Sequence, residues 1–274
     1  MNVNKWAQRS GRAFTSVEVL VIIVVIVILV ALTFPVGGPP RRPALRRRAR
    51  MEMEQIVNAI CVYDSEHGHF PVSSNAMSAA ASSGQDFTFG TSGLSRGLKT
   101  PGGTYDVRAL DAAGKPLSYQ ANNSEVMAVL LDIEFWPATP TVPTINLGHV
   151  MNPRKTRYLN ATMAANTTSP GIGPDGVYRD PWGEPYIITI DLNKDGKARD
   201  AFYGDPNVSA DPSDSGTPKR GLNGLIPTLV GDRTLYDAGS PVIVWSAGPD
   251  KMIDPGAGAL ANQGANKDNV LSWK

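Results

Sequence analysis

The chain has 274 residues and a formal charge of +1, so it carries no overall basic signature for nucleic acid. Hydrophobic residues make up 42% of it, enough for a buried core, while 27 glycines and 22 prolines predict a loop-rich fold short of disorder. Its one cysteine, Cys61, excludes an intrachain disulfide scaffold.

Charge is unevenly placed. Residues 1–50 hold Lys5, Arg9, Arg12, Arg41, Arg42, Arg46, Arg47, Arg48 and Arg50 against one acid, Glu18. Residues 1–13 are polar and basic, and 19–32 are an unbroken apolar run. In water so many Val and Ile residues disfavour an isolated helix, but in lipid the backbone must satisfy itself and helix wins. Counted from Phe14 to Val36, such a helix rises ~34 Å, which predicts a transmembrane segment at 14–36.

Gly37, Gly38, Pro39 and Pro40 predict a break. Helix is expected to resume near Pro43 or Ala44 and to run to about His67, with Gly68 as its stop. Met53, Ile56, Ile60 and Tyr63 give that helix one apolar face. Residues 73–118, rich in Ser, Ala, Gly and Thr, read as a long surface loop. Asn123 reads as a cap for a short helix at 124–135, and 137–180 as irregular. Strands are expected at 186–190, 198–203 and 242–246, with a hairpin turn through Asn193, Lys194, Asp195 and Gly196.

The stretch Ala13-Phe14-Thr15-Ser16-Val17-Glu18 ahead of the apolar run closely resembles the prepilin signal of type IV pilins and type II secretion pseudopilins. Phe14, Thr15 and Glu18 match that signal position by position, and Pro35 falls where the family carries a kinking proline. Ala13 departs from it, because the family has Gly there. Further along, the helix exit from Tyr63 through Gly68 to Pro71 resembles the major pseudopilin. So do the turn Asp180-Pro181-Trp182-Gly183-Glu184-Pro185-Tyr186, the segment Val244-Trp245-Ser246-Ala247-Gly248-Pro249-Asp250 and the ending Asp268-Asn269-Val270-Leu271-Ser272-Trp273. Residues 72–179 and 204–240 are longer than a compact pseudopilin needs.

The resemblance implies an α+β, type IV pilin-like fold: a long amino-terminal transmembrane and stem helix packed on a small antiparallel sheet, with long loop insertions. It divides the chain into a leader (1–13), a membrane and filament-core helix (14–36), a stem helix (37–67) and an extracytoplasmic domain (68–274). A prepilin peptidase would cut between Ala13 and Phe14 and methylate the new amine. The mature charge would then be 23 − 25 = −2 after loss of Lys5, Arg9 and Arg12. Glu18 would pair with the free amine of a neighbouring subunit's Phe14 and set assembly register. The implied location is the bacterial inner membrane, single-pass, with lipid, other pilin or pseudopilin subunits and an assembly platform as partners and no nucleic acid. The implied function is a filament subunit assisting secretion. A surface adhesin and an anchored protein that does not polymerise are the alternatives.

The resemblance also implies calcium in the loop after the last strand, on Asp250, Asp254 and Asp268. Separately, Asp191, Asn193 and Asp195 occupy positions one, three and five of an EF-hand-like loop, but Phe202 stands at position twelve in place of the bidentate Glu. A plain hairpin turn is the preferred reading there. Cys61, His67 and His69 lack the ligand number and spacing of a metal site, and His149 stands alone. No nucleophile triad, metalloprotease or phosphate-loop pattern occurs, so no enzyme is expected. Six arginines within 41–50 outnumber the three cations before the apolar run, which by the positive-inside rule opposes the orientation that the resemblance requires.

Overall fold

The computed structural model describes residues 15–33 and 41–274. The chain divides into two units, residues 1–41 and 42–274.

The first unit contains α1 (Ser16–Thr33). Thr15 and Glu18 start it as a reciprocal pair. The Thr15 hydroxyl accepts from the Glu18 amide at 3.3 Å, and Glu18 Oε2 accepts from the Thr15 amide at 2.8 Å. Two of the amide groups that a helix start leaves unpaired are satisfied in this way. From Val17 to Val27 the large apolar side chains of α1 are 45–68% exposed.

The expected membrane anchor does not appear. Among the described residues no helix is long and apolar enough to cross a membrane. α1 has 18 residues, which is ~27 Å of rise against a ~30 Å hydrocarbon core. Residue 14, residues 34–36 and the break at 37–40 lie outside the described residues. The next helix, α2 (Arg41–His67), opens on arginines and cannot serve instead. The single-pass inner-membrane placement is therefore not supported.

In the second unit α2 is followed by α3 (Ser74–Ser83), β1 (Phe87–Phe89), β2 (Leu98–Thr100), β3 (Gly103–Tyr105) and α4 (Ser124–Leu130). Then come β4 (Gly171–Ile172), β5 (Tyr178–Arg179), β6 (Ile187–Ile190), α5 (Pro206–Ser209), β7 (Ile226–Val230), β8 (Arg233–Asp237), β9 (Val242–Ser246) and β10 (Val270–Leu271). The main sheet is antiparallel in the order β1-β6-β9-β10, and β2–β3, β4–β5 and β7–β8 are separate two-stranded sheets. The described chain is thus a mixed α/β structure with five α-helices and several small sheets, which replaces the expected arrangement of one long stem helix on one small sheet.

Side chains alternate across the main sheet, as the two-residue period of a strand dictates. Ile188, Ile190, Val242 and Val244 enter one core with Met53, Ile56, Ile60 and Tyr63 of α2, all four of them fully buried. Ile187, Ile243 and Trp245 enter a second core with Phe202, Tyr203, Val208, Leu222 and Tyr236. Each such side chain contributes about 1.5–3 kcal/mol by leaving water. The second core draws on Val208, Leu222, Leu225, Tyr236 and Ala238, so the stretch 204–240, expected as an insertion, is part of the core. β6 and β9 are covered on both faces, which is why they read as continuous apolar runs.

Two local expectations change for identifiable reasons. The "loop" at 73–118 contains α3: Ser73 caps it by accepting from the Ala76 amide at 3.2 Å, Gly84 closes it in the left-handed conformation, and alanine between them favours helix. The expected strand at 198–203 is a turn, because the buried Asp200 carboxylate gathers the amides of Phe202 and Tyr203 at 2.9 Å each.

Candidate functional site

The processing residues Ala13 and Phe14 lie outside the described residues. Glu18 is described, and its geometry adds a role that the sequence reading passed over. Its carboxylate closes the start of α1, and the bonds from the Thr15 amide and hydroxyl hold it below its usual range. The pattern Thr15-x-x-Glu18 ahead of an apolar run is the signature of a capping box, so the role was legible in the sequence. Above this cap α1 is apolar on every side, without a polar stripe to turn toward water.

Of the three acids expected to hold calcium, two meet. Asp250 and Asp268 lie side by side. Burial raises Asp250 above the usual carboxylate range, the Asp268 charge adds to that, and the Met252 amide at 2.9 Å works against it. Asp268 Oδ1 is closed off without a hydrogen-bond partner, while its Oδ2 lies 3.7 Å from the Arg46 guanidinium. Asp254 does not complete the set: its Oδ1 accepts from the Gly256 amide at 2.9 Å, and its own amide donates to Asn266. Calcium takes six to eight oxygens, of which these two acids, Asp268 among them 3.7 Å from a guanidinium, would supply a part. Among the described residues, no three acidic, histidine or cysteine side chains converge tightly enough as they stand to hold a metal.

The turn after β5 is a fold device. Asp180 is fully buried. Its Oδ1 accepts from the amides of Trp182 (2.8 Å) and Glu184 (3.0 Å), and its Oδ2 accepts from the Ser246 hydroxyl at 2.5 Å. Burial pushes its carboxyl up to about 7 against these bonds. Gly183 holds φ at +91° there, and a Cβ at that position would meet the Thr168 carbonyl oxygen at 2.2 Å.

The loop at 191–196 does not turn a hairpin, since β6 pairs with β1 and β9. It folds onto its own first residue: Asp191 Oδ1 accepts from the Lys194 amide at 2.5 Å, and Oδ2 from the Gly196 amide at 2.7 Å. Cys61 is exposed and unpaired. The His67 ring stacks on Tyr63 with centroids 4.3 Å apart, and the His69 Nδ1 lies 3.0 Å from the Phe70 carbonyl oxygen. His149, which stands alone in sequence, sits between Asp132 (2.8 Å) and Glu134 (3.4 Å).

No protein-family model, curated protein or solved structure matches this chain.

Proposed function

We propose that the chain is a structural subunit that assembles into a pilus-like filament through α1. The observation that carries this reading is the helix itself: from Val17 to Val27 it shows large apolar side chains, each 45–68% exposed, around its whole circumference. A helix that is apolar all round is a buried helix, and contiguous apolar surface of this extent marks an interaction site. Copies of the same helix, bundled with their capped ends in register, supply a matching apolar surface. The resemblance of Phe14, Thr15 and Glu18 to a prepilin signal supports this occupant. It adds cleavage by a prepilin-type peptidase between Ala13 and Phe14, which would free an amine to pair with Glu18 of a neighbour.

The capping box sharpens the test. Gln serves at the third helical position of a capping box as Glu does, so Glu18→Gln keeps the helix start and removes only the charge. The full chain is co-expressed with a prepilin peptidase and assembly proteins, and polymer is measured after shearing and sedimentation. Glu18→Gln and Glu18→Ala should both abolish polymer while leaving the second unit folded, and Glu18→Asp should be milder. If Glu18→Gln polymerises like the parent, the charge is not what sets register and the amine-to-carboxylate pairing is wrong.

A further inference from the structure

We propose that the loop at 191–196, completed by Asp86 from just before β1, is a calcium-binding site. The sequence pattern is half of an EF-hand loop: Asp191, Asn193 and Asp195 stand at positions one, three and five, with Gly196 at six. The backbone follows it. Gly196 has φ +82°, and the Asp191 and Asp195 carboxylates accept from the Gly196 amide (2.7 Å) and the Lys197 amide (2.9 Å). What the half-loop lacks is an acid at position twelve, where Phe202 is buried in the second core.

The fold supplies that acid from elsewhere in the chain. Asp86 is 5% exposed, and the antiparallel pairing of Phe87 with Ile190 sets it across from Asp191 at the start of the loop. Its Oδ2 accepts from the Arg199 amide at 2.7 Å, and its Oδ1 has no hydrogen-bond partner. Arg199 does not neutralise it, because that guanidinium turns to Asp237 at 2.6 and 3.0 Å and to Gln85 at 2.7 Å. A buried carboxylate oxygen with neither donor nor cation is costly, and two further acids beside it raise the cost. A divalent cation between them removes both penalties.

The donor set selects the ion. All the groups offered are oxygens: the carboxylates of Asp86, Asp191 and Asp195, the Asn193 amide oxygen and the Lys197 carbonyl at position seven. Hard oxygen donors on a loop that can adjust suit calcium, whereas magnesium demands a rigid octahedron. The carboxylates do not yet converge as they stand. Asn193 and Asp195 are exposed and each accepts one backbone amide, at 3.0 and 2.9 Å, while Asp86 and Asp191 are buried. Asp191 Oδ1 accepts two amides, but its Oδ2 accepts one and so keeps a second lone pair for the ion.

The test titrates chelator-stripped full-length chain with calcium chloride by calorimetry and follows the melting temperature in parallel. Calcium should bind and raise the melting temperature, because it binds only the folded form. Asp86→Asn and Asp195→Asn should each weaken binding by at least roughly tenfold, whereas the pair Asp250→Asn with Asp268→Asn should leave it unchanged, as the ligand set requires. Asp195 is exposed, so its variant decides the matter should Asp86→Asn fail to fold. The proposal is overturned by no heat and no melting shift at millimolar calcium, by parental binding in Asp195→Asn, or by loss of binding in the Asp250 and Asp268 pair instead.

Discussion

Replacing Asp180 tests whether one buried carboxylate fixes the turn that the sequence singles out. Asp180→Ala leaves three donors without their acceptor: the amides of Trp182 and Glu184 and the hydroxyl of Ser246. At about 1–3 kcal/mol for each of the three stranded buried groups, the loss is on the order of 3–9 kcal/mol. That is a large part of the ~5–15 kcal/mol that holds a domain folded. Asp180→Asn keeps Oδ1 for both amides and lets its Nδ2 donate to Ser246 Oγ, so near pH 8 it should cost about 1 kcal/mol. Burial raises the folded Asp180 carboxyl from an ordinary 3.8 up to about 7. The folded state therefore binds the proton more tightly than the unfolded state. That contribution is fully present below about pH 4, declines as pH rises to about 7 and is flat above; three units correspond to on the order of 4 kcal/mol. Asp180→Asn removes it, so the deficit of this variant should be larger at pH 4 than at pH 8. Urea unfolding followed by tryptophan fluorescence at both pH values measures each quantity. Equal stability of Asp180→Ala and Asp180→Asn, or a deficit independent of pH, would refute the reasoning.

Two neighbouring predictions use the same assay. Gly183→Ala should destabilise by at least about 2 kcal/mol, since φ is +91° and the added Cβ would lie 2.2 Å from the Thr168 carbonyl oxygen; a loss under a few tenths would show that the turn relaxes freely. Arg199→Met strands Asp237, whose side chain is 2% exposed, and should cost about 3–5 kcal/mol. Adding Asp237→Asn should recover more than half of it, because the expense lies in the unpaired charge.

The elements that the sequence made legible are those whose signal is local. α2 shows its apolar face as Met53, Ile56, Ile60 and Tyr63, and β6 and β9 show themselves as short β-branched runs. What escaped depends on distant partners. Asp200 gathers the Phe202 and Tyr203 amides into a turn with one oxygen, while its other oxygen is held by Thr189 and Trp245, which lie well outside that turn. Asn123 reads as a helix cap but makes no side-chain cap bond; it clamps the Tyr178 and Tyr186 carbonyls at 2.9 and 2.7 Å. Asp86 carries no motif of its own, and its meaning arises only when β1 pairs with β6 and sets it beside the 191–196 loop. The transmembrane reading erred differently: it counted from Phe14 to Val36, whereas the helix that is described has 18 residues, about 3 Å short of a ~30 Å hydrocarbon core.

The two buried acids explain how so loop-rich a domain holds a defined shape. Neighbouring residues of β9 point to opposite faces of the sheet, and each is bound to one carboxylate. Trp245 donates to Asp200 at 2.9 Å on the side of the second core, and Ser246 donates to Asp180 on the other. Each acid in turn gathers two amides of its own loop. The irregular segments at 180–186 and 200–205 are thus pinned to the central strand through short polar bonds in a dry interior, where such bonds are strong and their loss is costly. α1 belongs to the other unit. A change at Glu18 should therefore alter assembly without unfolding the domain, whereas a change at Asp180 should do the reverse.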